Sequence, residues 1–441
     1  PNEPVHVFLA DGQGGYVDHT AKSGLDGIFG GLNTVHADYD NDGDADILVL
    51  RGAWLGEDGK YPKSLLRNRG DGTFEDVTFD SKLLSFHPTQ TAAWADFNLD
   101  GYVDVFIGNE SYANSLGGPS HRSELFLNNG NGTFSEVSGK VGIDLDEFVK
   151  GVVWGDVNND GLPDLFASVL YGRNQLYINR GGTSIDTWRF EERAALAGVE
   201  LPITSFPTWF WDFDQDGWED LLVLSYDVNS PLAEMVAREY LGLPLKTTQN
   251  GKTIEVEPSR LFRNNGDGTF SDATRRVGLD RKVIYAMGSN FGDLDNDGWL
   301  DFYVGTGNPD LRSIIPKRMF RNVGGRRFEE VTLPGGFGHI QKGHVVEANG
   351  ASRTVRRTLN TGGSFGAGSL QLHVGLGRAA RVRELRIQWP DSARTKSSHT
   401  GLAVNRTYRV RQGEAPVQLP RPPVPFRKSA LGAPPPEHRH E

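Results

Sequence analysis

The sequence predicts an all-β protein, a six- or seven-bladed β-propeller followed by a small C-terminal β-sandwich-like domain. Two observations predict this fold. Five copies of one acidic, glycine-containing pattern recur within the first 301 residues, each lying between short apolar segments. The chain also holds 55 glycines and 23 prolines among 441 residues, which is typical of many short strands joined by tight turns. Regular copies of a small β-unit indicate radially arranged blades.

The repeated pattern is nine residues long and reads Asp-x-Asp-x-Asp-Gly-x-x-Asp, with Asn at the third position of two copies. The copies span 38–46, 96–104, 156–164, 212–220 and 293–301. Their first positions lie 58, 60, 56 and 81 residues apart. A single loop of this kind is a weak signal, whereas five in phase predict a repeat architecture.

A second pattern follows each acidic loop and completes the repeating unit. It is an apolar segment with a glycine-containing turn, found at 65–74, 125–134, 261–270 and 319–328, with a diverged copy that opens at 176. Asn-Gly and Asp-Gly turns supply the positive-φ residues that tight hairpins need. One unit is therefore predicted to be four antiparallel strands, with the acidic loop joining the first and second.

The N-terminal segment indicates how the ring closes. Residues 7–9 and 16–18 flank a glycine-rich turn and match the third and fourth strands of a unit. Strands from the other end of the propeller would complete this half-blade and close the ring. Five full blades and this one make six, and a seventh in divergent sequence stays open.

The acidic loops are predicted to be calcium sites. Side-chain oxygens at positions 1, 3, 5 and 9 and the carbonyl of position 7 form an oxygen-only set. Such a set suits Ca²⁺ better than zinc or copper, while Mg²⁺ prefers a tighter octahedron with retained water. About five ions are expected, held by Asp38, Asp40, Asp42, Asp44 and Asp46; Asp96, Asn98, Asp100, Tyr102 and Asp104; Asp156, Asn158, Asp160, Leu162 and Asp164; Asp212, Asp214, Asp216, Trp218 and Asp220; and Asp293, Asp295, Asp297, Trp299 and Asp301.

An EF-hand and a metal-free turn are the alternatives to this type of calcium loop. An EF-hand needs a bidentate Glu at position 12, and the five loops carry apolar residues there: Val49, Ile107, Ala167, Val223 and Val304. In the metal-free alternative, the aspartates only cap turns. Because clustered carboxylates repel one another in an empty loop, a neutralising cation is favoured.

Calcium chemistry also indicates where the protein works. Loops of this type in extracellular modules bind calcium at ~10⁻⁴–10⁻³ M, which is effective outside the cell and ineffective at cytosolic calcium concentrations. We therefore expect a secreted, cell-surface or periplasmic protein. The sequence has no cysteine, which excludes disulfides and thiolate metal sites. No apolar run approaches the ~18 residues of a membrane span.

These motifs resemble those of known families. The repeats resemble the FG-GAP/VCBS family over about residues 5–332, and this implies an integrin-α-like propeller with calcium in the inter-strand loops. The C-terminal region resembles the ASPIC/UnbV family through Gly363-Ser-Phe, His373-Val-Gly375-Leu-Gly377 and the segment 382–391. Together the resemblances imply an extracellular or periplasmic calcium protein, and they imply no chemical activity.

The C-terminal quarter of the chain has a net charge opposite to that of the rest. Residues 333–441 carry 17 Lys+Arg and 6 Asp+Glu, a balance of +11, whereas residues 1–332 have a balance of −22. We predict a propeller at 1–333, an ASPIC/UnbV-like β domain at 334–414 and a Pro-rich extended tail at 415–441. The basic region is expected to dock on the acidic one, with polyanion binding as the alternative, and no nucleic-acid partner is predicted.

The loops between second and third strands are predicted to lie on the face opposite the acidic loops. The longest, 226–258, contains a predicted helix that starts after Ser230 and ends before Gly242. Variable loops on a rigid scaffold usually carry recognition. The hypothesis is that this face binds a partner, the alternative being ordinary loop residues, through Trp54, Tyr61, Tyr112, His121, Arg122, Tyr171 and Arg173.

The function favoured by the sequence is binding or scaffolding. We expect recognition of a protein or glycan partner, or self-assembly at the cell surface. The chain contains no His-Glu-x-x-His and no Walker loop, and no catalytic residue is predicted. Two alternatives stay open, an accessory or biosynthetic enzyme of the UnbV-like type and a polysaccharide-active protein.

Overall fold

A computed structural model describes most of the chain. The described residues are 4–12, 15–227, 232–249, 252–295, 297–306, 317–332, 382–388, 395–403, 408–410 and 413–418. The C-terminal motif at 363–377, Ser230 and Trp389 lie outside them. Within these residues, no helix is both long enough and apolar enough to cross a membrane.

A short antiparallel hairpin opens the described chain. It consists of β1 (Phe8–Ala10) and β2 (Tyr16–Asp18), followed by a 3-10 turn at Thr20–Lys22. The predicted half-blade therefore forms its own pair. Among the described residues these strands pair only with each other, so the number of blades stays a prediction.

Five four-stranded antiparallel sheets follow, which we number as blades 1 to 5. Blade 1 contains β3 (Asn33–Ala37), β4 (Asp46–Leu50), β5 (Ser64–Asn68) and β6 (Phe74–Asp76). Blade 2 contains β7 (Thr89–Ala95), β8 (Asp104–Asn109), β9 (Glu124–Asn128) and β10 (Phe134–Glu136). Blade 3 contains β11 (Val149–Gly155), β12 (Asp164–Val169), β13 (Gln175–Asn179) and β14 (Phe190–Glu192).

The last two blades follow the same order, with one insertion. Blade 4 begins with β15 (Ser205–Trp211) and β16 (Asp220–Ser225), is interrupted by a hairpin of β17 (Lys246–Gln249) and β18 (Lys252–Glu255), and resumes with β19 (Arg260–Asn264) and β20 (Phe270–Asp272). Blade 5 contains β21 (Ala286–Gly292), β22 (Asp301–Thr306), β23 (Arg318–Asn322) and β24 (Phe328–Glu330).

Helices are short and lie between strands. They are α1 (Ala113–Leu116), α2 (Ser138–Val141), α3 (Ala194–Ala197) and α4 (Leu232–Tyr240), with a 3-10 turn at Gly56–Gly59. The helix α4 is the one predicted in the longest loop. It ends where Gly242 takes a positive φ of 67°, a conformation that favours glycine.

The apolar core lies between neighbouring blades. Trp154 of blade 3 is fully buried and stacks on Phe97 of blade 2, with ring centroids 6.5 Å apart. Trp211 of blade 4 stacks on Phe328 of blade 5 at 5.7 Å. In blades 2 to 4 the first strand is buried along its whole length, whereas β3 of blade 1 and β21 of blade 5 are buried only in part.

The first strands of the blades contact one another in chain order, β3 with β7, β7 with β11, β11 with β15 and β15 with β21. This arrangement and the repeated sheets confirm the predicted all-β, propeller-type fold. At the C-terminus, β25 (Leu385–Gln388) pairs with β26 (Lys396–His399), and β27 (Tyr408–Arg409) pairs with β28 (Val417–Gln418).

Candidate metal sites and the opposite face

The first aspartate of each acidic loop closes the turn. In blade 1, Asp38 Oδ1 accepts the amide hydrogen of Asp42 at 3.0 Å, and Asp38 Oδ2 accepts that of Gly43 at 2.9 Å. The glycine has a φ of 96°, which a side chain at that position would strain. The same pair of bonds forms at Asp96, Asp156, Asp212 and Asp293.

The ninth-position aspartate connects the loop to the hairpin of the same blade. In blade 2, Asp104 Oδ2 accepts from the amide of Phe97 at 3.1 Å, and Oδ1 accepts from the amide of Asn128 at 2.8 Å. Its side chain is fully buried, and burial raises the pKa of Asp104 well above its ordinary value. Equivalent bonds hold Asp46, Asp164, Asp220 and Asp301.

Burial also raises the pKa of the other ninth-position carboxyls, to about 7 for Asp46 and Asp301 and well above the ordinary value for Asp164 and Asp220. Desolvation is the largest cause in each, and neighbouring aspartates add to it. A cation beside these carboxyls would offset both the desolvation of the charged form and the repulsion from neighbouring aspartates, because it favours the charged carboxylate.

Carboxylate oxygens converge in three of the loops. Oxygens within 4.8 Å of one another come from Asp38, Asp40 and Asp42; from Asp212, Asp214 and Asp220; and from Asp293, Asp295 and Asp297. In blades 2 and 3 the third position is an amide. There the side-chain Oδ1 of Asn98 accepts the amide hydrogen of Asp100 at 3.1 Å, and that of Asn158 accepts the amide hydrogen of Asp160 at 2.9 Å.

Two of the converging carboxylates carry an oxygen that has no hydrogen-bond donor. Within the described residues, Asp40 Oδ1 and Asp214 Oδ1 are buried and accept no hydrogen bond. A buried acceptor without a donor is costly, and a bound cation removes that cost. The donor set consists of carboxylates, amides and carbonyls, so it fits a hard divalent cation.

The seventh position supplies packing that the sequence pattern did not reveal. Tyr102 lies against Gly130 in the blade 2 hairpin, where an added Cβ would come within 2.8 Å of the ring. Trp218 occupies the same place against Gly266 in blade 4, where the corresponding distance is 2.9 Å. The hairpin glycine is therefore required both by its positive φ and by the side chain above it.

A repeated hydrogen bond also joins the hairpins of blades 2 to 5 to the preceding blade. The side-chain amide of Asn128 donates to the Tyr39 carbonyl at 2.8 Å and to the Val103 carbonyl at 3.1 Å. Asn264 and Asn322 make the same inter-blade bond to Val157 and Phe213. The second residue of one acidic loop is thus fixed by the next blade.

Three predicted partner-face residues meet around one aromatic cluster on the opposite face. The ring of Phe148 lies 5.9 Å from Trp54, 4.8 Å from Tyr112 and 6.3 Å from Tyr171, measured between centroids. Trp54 is 38% exposed and has a positive φ of 69°. These side chains cover a buried ion pair that sequence reasoning missed.

That ion pair is Lys150 with Glu110. Both side chains are fully buried, and the ammonium also lies 3.0 Å from Gln90 Oε1 and 3.3 Å above the Trp54 ring centroid. Burial lowers the pKa of Lys150 to about 8. Glu110 Oε2 accepts the amide hydrogen of Trp54 at 2.6 Å, which holds the indole over the lysine.

The remaining partner-face residues lie farther out. Tyr61 is 41% exposed. Arg122 pairs with Asp144 and Arg173 with Glu200, the latter at 2.8 Å, while both guanidinium groups stay largely exposed.

His121 differs from its neighbours because it is buried. Its Nδ1 lies 3.0 Å from Nδ1 of His87, and its Nε2 lies 2.9 Å from Glu57 Oε1. Glu124 Oε1 lies 3.9 Å from His87 Nε2, and the buried Lys63 ammonium lies 3.5 Å from Glu124 Oε2. His121 therefore belongs to a cluster that joins the loops of blades 1 and 2.

Known proteins match both parts of the chain. The FG-GAP-like repeat model matches residues 96–167, 156–223 and 212–304, and the ASPIC and UnbV model matches residues 343–417. Cartilage acidic protein 1 of Mus musculus is 28% identical over 406 residues, which is 89% of this chain and 56% of that protein. The Homo sapiens protein is 27% identical over 168 residues, 38% of this chain and 24% of the relative. The chain spans about half the length of the mouse protein.

Solved structures give weaker likenesses. A lectin from Agrocybe aegerita that recognises non-reducing terminal N-acetylglucosamine is 17% identical, covers 74% of this chain and 73% of its own, and has a TM-score of 0.40. The Photorhabdus luminescens Tc holotoxin pore is 16% identical, covers 63% of this chain and 11% of its own, and has a TM-score of 0.29. Neither likeness bears on the function of this chain.

Proposed function

We propose that this chain, which combines FG-GAP-like repeats with an ASPIC and UnbV domain, is a calcium-stabilised extracellular or periplasmic binding or scaffold protein. The observation that carries the proposal is the five-fold recurrence of one oxygen-lined loop, in which Asp40 Oδ1 and Asp214 Oδ1 are buried without a donor. We propose the same division of the chain as the sequence indicates, with the propeller at 1–333, the ASPIC/UnbV-like domain at 334–414 and the tail at 415–441.

Each loop would hold one ion through its own residues. In blade 2 these are the side chains of Asp96, Asn98, Asp100 and Asp104 and the carbonyl of Tyr102, and the other loops supply the equivalent positions. The ion would neutralise the clustered carboxylates and give the unpartnered oxygens a ligand. The first and ninth aspartates also fix the loop backbone through their hydrogen bonds to main-chain amides.

Stability is the expected consequence of binding. An ion that binds only the folded state at a hundredfold excess over its dissociation constant adds ~2.7 kcal/mol per site. At the dissociation constants of ~10⁻⁴–10⁻³ M expected for these loops, millimolar calcium outside the cell would add about 0.4–1.4 kcal/mol per site, whereas cytosolic calcium would add almost nothing. The extracellular or periplasmic location follows from that difference.

Thermal melting tests the calcium role. The melting temperature of the wild-type chain should fall when EGTA replaces millimolar calcium. The variant Asp100→Ala should lose part of that calcium-dependent rise, because the blade 2 loop loses a ligand. Asp58→Asn, an exposed acid outside the loops, is the matched control and should behave as wild type. Equal melting temperatures in calcium and EGTA would contradict the proposal.

Partner recognition is proposed for the face opposite the calcium loops. Tyr61, Arg122 and Arg173 present exposed aromatic and cationic groups there, with Arg122 paired to Asp144 and Arg173 to Glu200. Such a surface fits a protein or glycan partner, because its cationic and aromatic groups can bind acidic or ring-shaped surfaces.

A panel of immobilised glycans and secreted proteins tests this face. The triple variant Tyr61→Ser, Arg122→Ser and Arg173→Ser should lose binding to any ligand that the wild type retains. The control replaces Arg180 and Arg327, exposed arginines outside this loop set, with Ser and should keep binding. Retention of no ligand by the wild type, or equal loss in both variants, would contradict recognition by this face.

A further inference from the structure

The third position of the acidic loop varies together with a residue on the third strand. Blades 1, 4 and 5 have Asp at position 3 and Arg immediately before the hairpin asparagine, as Asp40 with Arg67, Asp214 with Arg263 and Asp295 with Arg321. Blades 2 and 3 have Asn at position 3 and an apolar residue in the same strand register, as Asn98 with Leu127 and Asn158 with Ile178. Carboxylate and guanidinium are thus present together or absent together in all five blades.

The arginine contacts the loop carboxylates directly in two blades. Arg263 Nε donates to Asp214 Oδ2 at 2.7 Å, and the same guanidinium also bonds to Asp216. In blade 5, Arg321 forms an ion pair with Asp295 and donates to Asp297 Oδ2 at 3.0 Å. In blade 1, Arg67 pairs with Glu75 at 2.5 Å and lines one cleft together with Asp40.

In blade 4 the guanidinium of Arg263 occupies one oxygen of the third-position carboxylate and leaves the other. In Asp214, Oδ2 accepts from Arg263, whereas Oδ1 is buried without a donor. Asp214 also belongs with Asp212 and Asp220 in the group whose oxygens converge. The arginine therefore lies outside the candidate ion position and does not replace the ion.

The arginine lowers the net negative charge of a loop that has aspartate at position 3. The loops of blades 4 and 5 carry aspartate at positions 1, 3, 5 and 9, and the arginine before the hairpin asparagine brings each set to −3. In blade 4 a second arginine, Arg276, also approaches Asp214, with its Nη2 3.9 Å from Asp214 Oδ2. The blade 1 loop carries a fifth aspartate, Asp44 at position 7, so Arg67 leaves that loop at −4. The loops of blades 2 and 3 carry aspartate at positions 1, 5 and 9 only, which is also −3. Ligand charge is one of the main determinants of calcium affinity in oxygen-lined loops.

We propose that this arginine is an affinity-setting counter-charge, matched to the third-position aspartate, that keeps loops with four carboxylates close in calcium affinity to loops with three. This inference rests on the proposed calcium role of the loops. An added third-position carboxylate without its arginine should bind calcium more tightly and should destabilise the calcium-free loop through repulsion. Adding the arginine should reverse both effects.

Calorimetric calcium titration of the full chain tests the pairing. In Asn98→Asp, one equivalent of calcium should bind before the others, with a dissociation constant about tenfold lower. The same variant should have a lower melting temperature than wild type in EGTA. Asn98→Asp with Leu127→Arg should return both values towards wild type. Asn98→Asp with Leu127→Met, which adds no charge, should keep the leading equivalent.

Blade 4 supplies the reverse experiment, which keeps the proposal testable if the blade 2 variants fail to fold. Arg263→Met should produce a leading equivalent, and Arg263→Met with Asp214→Asn should abolish it. The counter-charge would be overturned if every variant bound calcium as the wild type does. It would also be overturned if adding Leu127→Arg to Asn98→Asp failed to weaken the tighter site. Absence of calcium binding to the wild type would instead overturn the proposed calcium role.

Discussion

The side-chain amide of Asn179 donates to the backbone carbonyl of Phe97 at 2.9 Å and so joins the hairpin of blade 3 to the acidic loop of blade 2. The same amide donates to the Pro163 carbonyl at 3.1 Å, and its oxygen accepts the Trp188 indole hydrogen at 2.8 Å. The residue is fully buried. One asparagine thus connects two acidic loops that lie on different blades.

Removal of this amide should destabilise the whole propeller. Asn179→Ala leaves the buried carbonyls of Phe97 and Pro163 without this donor, and a loss of about 2–3 kcal/mol in the free energy of unfolding is expected. Asn68→Ala is the matched control, because the Asn68 amide makes one described bond within blade 1, to Ala45, and none to another blade. Urea unfolding measures both, and equal losses would contradict an inter-blade role.

The buried ion pair should behave as a unit. Lys150→Met leaves Glu110 buried without its cation, and a loss of about 3–5 kcal/mol is expected. The double variant with Glu110→Gln removes the uncompensated charge and should recover much of that stability. Chemical unfolding at pH 7 measures the series. A double variant no more stable than the single one would show that the pair's charges are not coupled.

A strained backbone position in blade 2 offers a stabilising substitution. Leu99 has a φ of 56°, where asparagine is tolerated better than leucine. Asn41 holds the same loop position in blade 1 and donates to the Gly101 carbonyl at 3.0 Å. Leu99→Asn should therefore gain about 1 kcal/mol and raise the melting temperature, whereas Asn41→Leu should lower it. A lower melting temperature for Leu99→Asn, or a higher one for Asn41→Leu, would contradict the backbone argument.

Acid should weaken the contact between blades 1 and 2. Burial lowers the pKa of His87 from its ordinary value near 6.5 despite the nearby Glu124 carboxylate, and Lys63, His121 and Lys60 lower it further. The folded state then binds fewer protons than the unfolded state, so this contribution is complete above pH 6.5 and is lost as pH falls through the folded pKa.

His87→Gln should reduce the loss of stability that occurs as the pH falls below 6.5. Melting temperatures between pH 7.5 and 5 in saturating calcium measure the effect, since calcium bound as proposed would favour the ionised loop carboxylates. His6→Gln, on an exposed N-terminal residue, serves as the control and should retain the wild-type slope. A wild-type slope in His87→Gln would place the acid-sensitive group elsewhere.

The acidic loops could be predicted because every feature they need is local. Asp38, Asp42 and Gly43 lie within six residues of one another, and five copies in phase made the pattern clear. The four-stranded blade could be predicted for the same reason, because short apolar segments and glycine turns specify hairpins without distant partners. Those predictions required no knowledge of which blades touch.

Contacts between distant residues could not be predicted. Lys150 and Glu110 are 40 residues apart, and the loops around them share no period. The hairpin asparagines recur at one register position, but the carbonyl that Asn264 bonds to lies 107 residues earlier. His121 was expected on the partner face from its loop position, whereas its burial depends on His87 and Glu57 from other segments.

Diffraction from crystals grown in millimolar calcium, recorded at a wavelength where calcium scatters anomalously, tests the central claim most directly. We predict an anomalous peak in each of the five loops, at about 2.3–2.6 Å from the carboxylate oxygens, and loss of the peaks after soaking in EGTA. Well-ordered loops without anomalous peaks would contradict a calcium-stabilised propeller.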